Sequence, residues 1–201
     1  MGRVLIACEE SQTVCKAFRE LGHEAYSCDI QECSGGHPEW HFQQDVFEVI
    51  ENNGPWDLII AHPPCTYLSC AGAVHLYRGG KINEDRLKKL YQAREFFMKI
   101  WRTKCRYLAI ENPLPLKIAE LPNHTQIIQP WQFGHGFTKK TLLWLHNLPS
   151  LDYTEIVNGR VKFVSRKGTK ASEGSVSSKK ERSKTFPGIA RAMAEQWGKL
   201  I

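Results

Sequence analysis

Residues 4–28, VLIACEESQTVCKAFRELGHEAYSC, decide how this chain folds. Val4 to Ala7 is a continuous apolar run, as expected of a strand covered on both faces. Thr13 to Leu21 reads as a helix, Gly22 breaks it, and Glu24 to Cys28 reads as a second strand. Strand, helix and strand in close succession make a βαβ opening, which implies a parallel pair. The alternation continues with a buried strand over Leu58 to Ala61, a long helix from about Asn83 to Arg102, and a strand over Tyr107 to Ile110. On the long helix Leu87, Leu90, Phe97 and Trp101 form the apolar stripe, while Lys88, Lys89 and Arg94 supply polar positions. The pattern predicts an α/β fold with a mostly parallel sheet flanked by helices. Beyond Gln126 come shorter strand-like pieces, Thr141 to Leu145 and Val161 to Val164, and a last helix from about Ile189 to Leu200.

A chain of 201 residues, 42% hydrophobic and 24% charged, fits one domain over residues 1–201. The formal net charge of +6 suits an acidic partner such as nucleic acid. Nine Lys or Arg against two Glu lie between Arg160 and Lys184, among Ser and Gly. This stretch reads as a mobile basic loop, either tracking phosphates or simply solvated. No apolar run approaches the ~20 residues that cross a bilayer. The seven cysteines have no paired spacing, so free thiols and a cytoplasmic location are expected.

In a doubly wound sheet, ligands bind beyond the carboxyl ends of the strands. Ala7-Cys8-Glu9-Glu10-Ser11-Gln12-Thr13 follows the first strand, Asp29-Ile30 the second, and Asp45-Val46 a further polar stretch. A carboxylate at the second strand end suits a ribose diol, and another nearby suits an adenine amino group. Each also has a structural use, Asp29 as a turn cap and Asp45 as a helix cap. Cys28, Cys33, His37 and His41 are spaced too closely for a finger-type zinc set, and no metal is expected.

The densest chemistry lies in Ile59-Ile60-Ala61-His62-Pro63-Pro64-Cys65-Thr66-Tyr67-Leu68-Ser69, where two prolines stiffen a strand exit and present a thiol at its tip. A thiolate held there is a nucleophile, whereas a buried thiol in a Pro-rich loop is structural. The next strand ends Ile110-Glu111-Asn112-Pro113, which sets a carboxyl and an amide beside Cys65 if the two strands are neighbours. A carboxyl in a dry pocket should have a raised pKa and could protonate a pyrimidine ring nitrogen while the thiolate adds opposite. His62 and His75 flank the cysteine loop as candidates for proton transfer or for structural hydrogen bonds.

Pro63-Pro64-Cys65 and Glu111-Asn112, in this order and each at a strand end, resemble the motifs of the DNA cytosine-5 methyltransferases, specifically their small phage-type members. The resemblance implies a Rossmann-like S-adenosylmethionine-dependent methyltransferase fold, in a bacterium or phage-infected cell. It implies that Cys65 adds to C6 of cytosine in DNA and that Glu111, with Asn112, steadies the ring so that C5 accepts a methyl group. S-adenosylmethionine would be held by Ala7, Cys8, Glu9, Ser11, Gln12, Thr13, Asp29, Ile30, Asp45, Val46 and Pro63. Pro64, Ser69, Lys139, Lys140 and Thr141 would meet the substrate, either duplex or single-stranded DNA.

The chain departs from the family at four places. The glycine-rich first loop is replaced by Ala7 to Ser11, and an arginine pair by Phe137-Thr138-Lys139-Lys140-Thr141, which keeps charge but loses the planar fork. The final motif becomes Phe186-Pro187-Gly188-Ile189-Ala190. Only Pro149 to Thr185 stands where a target-recognition domain is expected. Two further readings follow: the same chemistry on a free pyrimidine nucleotide, and a noncatalytic cofactor- or DNA-binding module that blocks a defence protein. Amino-group methyltransferases also carry a Pro-Pro dipeptide, but their neighbouring residues differ from His62 and Cys65.

Overall fold

A computed structural model describes residues 1–78, 80–158, 162–163 and 183–201. The basic stretch from Arg160 to Lys184 therefore lies outside the described residues except at Lys162–Phe163 and at Ser183 and Lys184.

The opening forms β1 (Arg3–Ala7), α1 (Thr13–Glu20) and β2 (Glu24–Cys28), followed by β3 (His41–Phe42), α2 (Val46–Asn52) and β4 (Leu58–Ala61). A short α3 (Ala73–Leu76) and a two-stranded ribbon of β5 (Tyr77–Arg78) and β6 (Lys81–Ile82) precede α4 (Glu84–Trp101). The remainder is β7 (Tyr107–Pro113), β8 (Gln126–Ile128), β9 (Phe137–Thr138), β10 (Thr141–His146), β11 (Lys162–Phe163) and α5 (Pro187–Trp197). Seven strands make one sheet in the order β3-β2-β1-β4-β7-β10-β8, and β11 pairs with β9 apart from it. Within the large sheet only β10 runs against its neighbours. This is the doubly wound α/β architecture that the alternating pattern predicts.

Alternating strand residues feed two cores. Val4, Ile6, Leu58, Ile60 and Leu143 face α1 and α5, where Phe18, Met193 and Trp197 are buried. Leu5, Ile59, Leu108, Ile110 and Trp144 face α2 and α4, where Val49, Phe97 and Ile100 are buried. Because both faces are covered, the central strands are apolar throughout rather than alternating. The helix ends follow ordinary capping chemistry. Asn83 accepts the Arg86 amide hydrogen at 3.0 Å, and Glu84 and Asp85 complement the positive end of α4.

Two differences from the sequence reading affect the site. The seventh strand runs on to Pro113, so Glu111 and Asn112 lie within the sheet rather than beyond it. The last helix begins at Pro187, and the Gly188 amide donates to His135 Nε2 at 2.9 Å. Burial, the largest influence on His135, lowers its pKa and suits a neutral ring accepting that bond.

Candidate functional site

The site forms where β1, β2, β4 and β7 end. β4 and β7 are parallel neighbours with Ala61 opposite Ile110, so the next residues, His62 and Glu111, come side by side. The cysteine loop is then fixed by its backbone. Asn112 Nδ2 donates to the Pro63 carbonyl at 2.8 Å, and Arg86 donates to the Thr66 carbonyl at 2.9 Å. The Leu68 and Ser69 amides both donate to the Cys65 carbonyl, at 3.1 and 2.9 Å, closing a turn around the thiol. Asn112 is thus a brace for the loop, buried beneath it.

A cavity of about 510 Å³ opens at these strand ends, within the usual size for a small-molecule site. Cys65, Glu111 and Asn112 all line it. From the expected cofactor set, Cys8, Glu9, Ser11, Asp29 and Pro63 line it as well, and from the expected substrate set, Pro64 and Lys139. The sequence reading did not include Glu10, Gln31, Thr66 or Pro113 in the site, nor the segment Ser183 to Thr185 before α5. His62, raised there only as a possible proton carrier, also lines it.

The other expected residues lie elsewhere. Ala7 and Val46 are core residues, and Ile30 is 77% exposed. Asp45 caps α2, accepting the Phe47 amide hydrogen at 2.8 Å. Ser69 is buried and Lys140 is exposed, while Thr141 is buried beside Glu111 without lining the cavity itself. The Thr13 hydroxyl pairs with that of Ser11 at 3.1 Å. Gln12 is fully buried: its side chain donates to the Ser27 hydroxyl and the His37 carbonyl, and accepts the His37 amide hydrogen. This side chain therefore holds the 34–37 loop against α1. Gln12→Ala strands these partners, and a loss of about 2 kcal/mol is expected in urea unfolding.

The acidic residues have distinct environments. Glu9 accepts the Val14 and Cys15 amide hydrogens at 2.8 and 3.2 Å, so its carboxylate seats the N-terminus of α1. Burial nevertheless pushes its pKa up, with His62 and the helix amides opposing. Asp29 is half-buried and accepts the Gln31 amide hydrogen at 2.9 Å through Oδ1. Glu111 corrects the sequence reading, which expected a raised pKa. Burial does push the carboxyl up, but the hydrogen bond from His62, the charge of Lys139 and the Thr141 hydroxyl together bring it below the ordinary carboxylate value. Glu111 is consequently an anion at neutral pH.

Two thiols, those of Cys8 and Cys65, border the cavity. Burial and the nearby Asp29, Cys28 and Asp45 hold Cys8 protonated far beyond neutral pH. Burial likewise pushes Cys15 and Cys28 up to about 12. Because the thiolate is the species that reacts, iodoacetamide at neutral pH should leave Cys8, Cys15 and Cys28 intact in the folded protein and modify them after denaturation. Peptide mass mapping reads this directly. Among the described residues, no group of three or more His, Cys, Asp or Glu is arranged to hold a metal ion. None of the described helices is long and apolar enough to cross a membrane.

No family model and no curated protein matches the chain. Solved structures that resemble it include an E. coli protein described as a DNA modification methyltransferase encoded within a prophage, at 12% identity and a TM-score of 0.45, covering 72% of this chain and 46% of that one. The Dnmt2 methyltransferase of S. pombe gives 13% identity and a TM-score of 0.41, covering 72% of this chain and 48% of that one. A DNMT2 variant from Spodoptera frugiperda gives 15% and 0.40, covering 78% and 54%. The chain spans about half the length of these structures.

Proposed function

We propose that this chain is an S-adenosylmethionine-dependent methyltransferase that modifies C5 of cytosine in DNA through a covalent bond between Cys65 and C6. The observation that carries the reading is the placement of Cys65 and Glu111 on adjacent strand exits, lining one cavity whose far wall is built from the exits of β1 and β2.

The donor set at that far wall suits an adenosyl group. Asp29 offers a carboxylate to a ribose diol, and the backbone turns sharply at Cys8, with φ of 60°. S-adenosylmethionine, when bound, supplies the electrophilic methyl group. Cys65 supplies the nucleophile that makes C5 electron-rich, and Glu111 meets the ring nitrogen. Lys139, beside Glu111, adds positive charge for phosphate or for the base. Asp29→Ala removes a hydrogen bond to a charged group, and a 10–100-fold loss of cofactor affinity is expected in calorimetric titration, roughly 1.5–3 kcal/mol.

Labelled S-adenosylmethionine incubated with duplex DNA, single-stranded DNA and dCMP tests the proposal. Label on cytosine C5 in either DNA is the expected result. Label on dCMP alone moves the substrate to a free nucleotide, and cofactor binding without transfer to any of the three points to a noncatalytic module.

A further inference from the structure

Resting on the reading just proposed, the site has to find one more proton than Glu111 holds. When a thiolate adds to C6, a pair of electrons arrives on ring nitrogen N3, which must be protonated. Glu111 is placed to serve that nitrogen, but its carboxyl stands below the ordinary value under the influence of His62, Lys139 and Thr141 despite its burial. A carboxylate accepts hydrogen bonds and has no proton of its own to give.

Its immediate partner is an imidazole. His62 Nδ1 lies 3.1 Å from Glu111 Oε2, and both side chains are only 12% exposed. Imidazole is the side chain suited to gain and lose a proton near neutral pH. A histidine retained for packing normally has both nitrogens satisfied, yet His62 Nε2 is buried with no hydrogen-bond partner among the described residues. Among the described residues, the ring is therefore hydrogen-bonded through Glu111 alone. The charged groups around the pair come from three elements: Glu9 from the exit of β1 faces His62, Glu111 faces it from β7, and Lys139 before β10 faces Glu111.

We infer that His62 is a positioning residue that supplies, through Glu111, the proton taken up by the pyrimidine ring nitrogen. In that step the bond from Cys65 Sγ to C6 forms. The C5=C6 π pair moves toward C4, and the C4=N3 π pair settles on N3. The Nδ1–H bond of His62 breaks and an N3–H bond forms, the Glu111 carboxyl carrying the proton between them. A thiolate and a proton are consumed while a thioether and an N3–H bond are formed, so charge balances. When sulfur leaves, the N3 proton returns to the pair.

Single-turnover methyl transfer to DNA, measured against pH for the wild type and His62→Asn, tests this. Asparagine places an amide donor near the position of Nδ1 but carries no titrating proton. The expected result is a 10²–10³-fold slower rate at neutral pH, with cofactor affinity and melting temperature retained. The deficit should shrink as pH falls, because Glu111 then takes its proton from solvent. His62→Ala should in addition be partly rescued by added imidazole. A His62→Asn rate that matches the wild type, or that is lowered by one factor at every pH without imidazole rescue of His62→Ala, overturns the inference alone. If the wild type gives no Cys65-dependent transfer, the methyltransferase reading falls, and the inference with it.

Discussion

Cys65→Ala is expected to lower methyl transfer by at least about 10³-fold while leaving S-adenosylmethionine binding and the melting temperature close to wild type. The size follows from the chemistry, since C5 of cytosine is a poor nucleophile until sulfur has added at C6. The retained fold follows from how the loop is held. Its anchors are the carbonyls of Pro63, Cys65 and Thr66, bound by Asn112, two backbone amides and Arg86, and none of them requires the thiol. Cys70, exposed and outside the cavity, is the matched control. Cys70→Ala should transfer methyl groups at the wild-type rate, and a comparable loss in both variants would show that the thiol acts through folding rather than through chemistry.

Among the glycines of the described residues, Gly188→Ala is expected to give the largest loss of stability. The added Cβ would fall well inside the van der Waals radius of the Phe133 carbonyl oxygen and 2.9 Å from His135 Nε2. Carbonyl and helix are both backbone, so no side-chain rotation relieves the overlap, and α5 must lift from the sheet. That helix buries Ile189, Met193 and Trp197 in the core it shares with α1, so a displacement propagates along the whole contact. A destabilisation of about 3 kcal/mol or more is expected in urea unfolding. Because Ser183 to Thr185 line the cavity just ahead of α5, cofactor affinity should fall in the same variant.

The parts of the fold legible in the sequence were those with a strong local signal. Val4 to Ala7 and Leu58 to Ala61 are apolar without interruption because both faces are covered, and the stripe from Leu87 to Trp101 marks a long helix against the sheet. The direction of β10 was not legible, since an apolar run such as Leu142 to Leu145 reads the same in either orientation. The ribbon of β5 and β6 consists of two-residue strands and leaves no periodic trace.

At the site, the strand-end rule pointed to Cys65, Glu111 and Asp29, because it depends only on where each apolar run stops. Other placements depended on three-dimensional neighbours. Gln12 was expected to touch cofactor, but its turn packs against Gly35, and its amide is spent on the His37 backbone. Burial alone would raise the Glu111 carboxyl in pKa, and burial is all that the apolar run before it signals. Lys139 lies 28 positions along the chain, and its effect emerges only when β10 folds back beside β7. The His62–Glu111 pair did have a sequence signal: each follows directly on a buried run, and parallel register brings the two together.

The most direct test of the central claim uses DNA containing 5-fluorocytosine, whose fluorine cannot be removed as a proton after methyl transfer. With S-adenosylmethionine present, the protein should become covalently joined to the oligonucleotide, and peptide mapping should place the bond on the peptide carrying Cys65. The adduct should be absent without the cofactor and absent in Cys65→Ala. Methyl transfer to ordinary DNA with no adduct on the fluorinated strand, or an adduct that maps to another residue, would contradict the account.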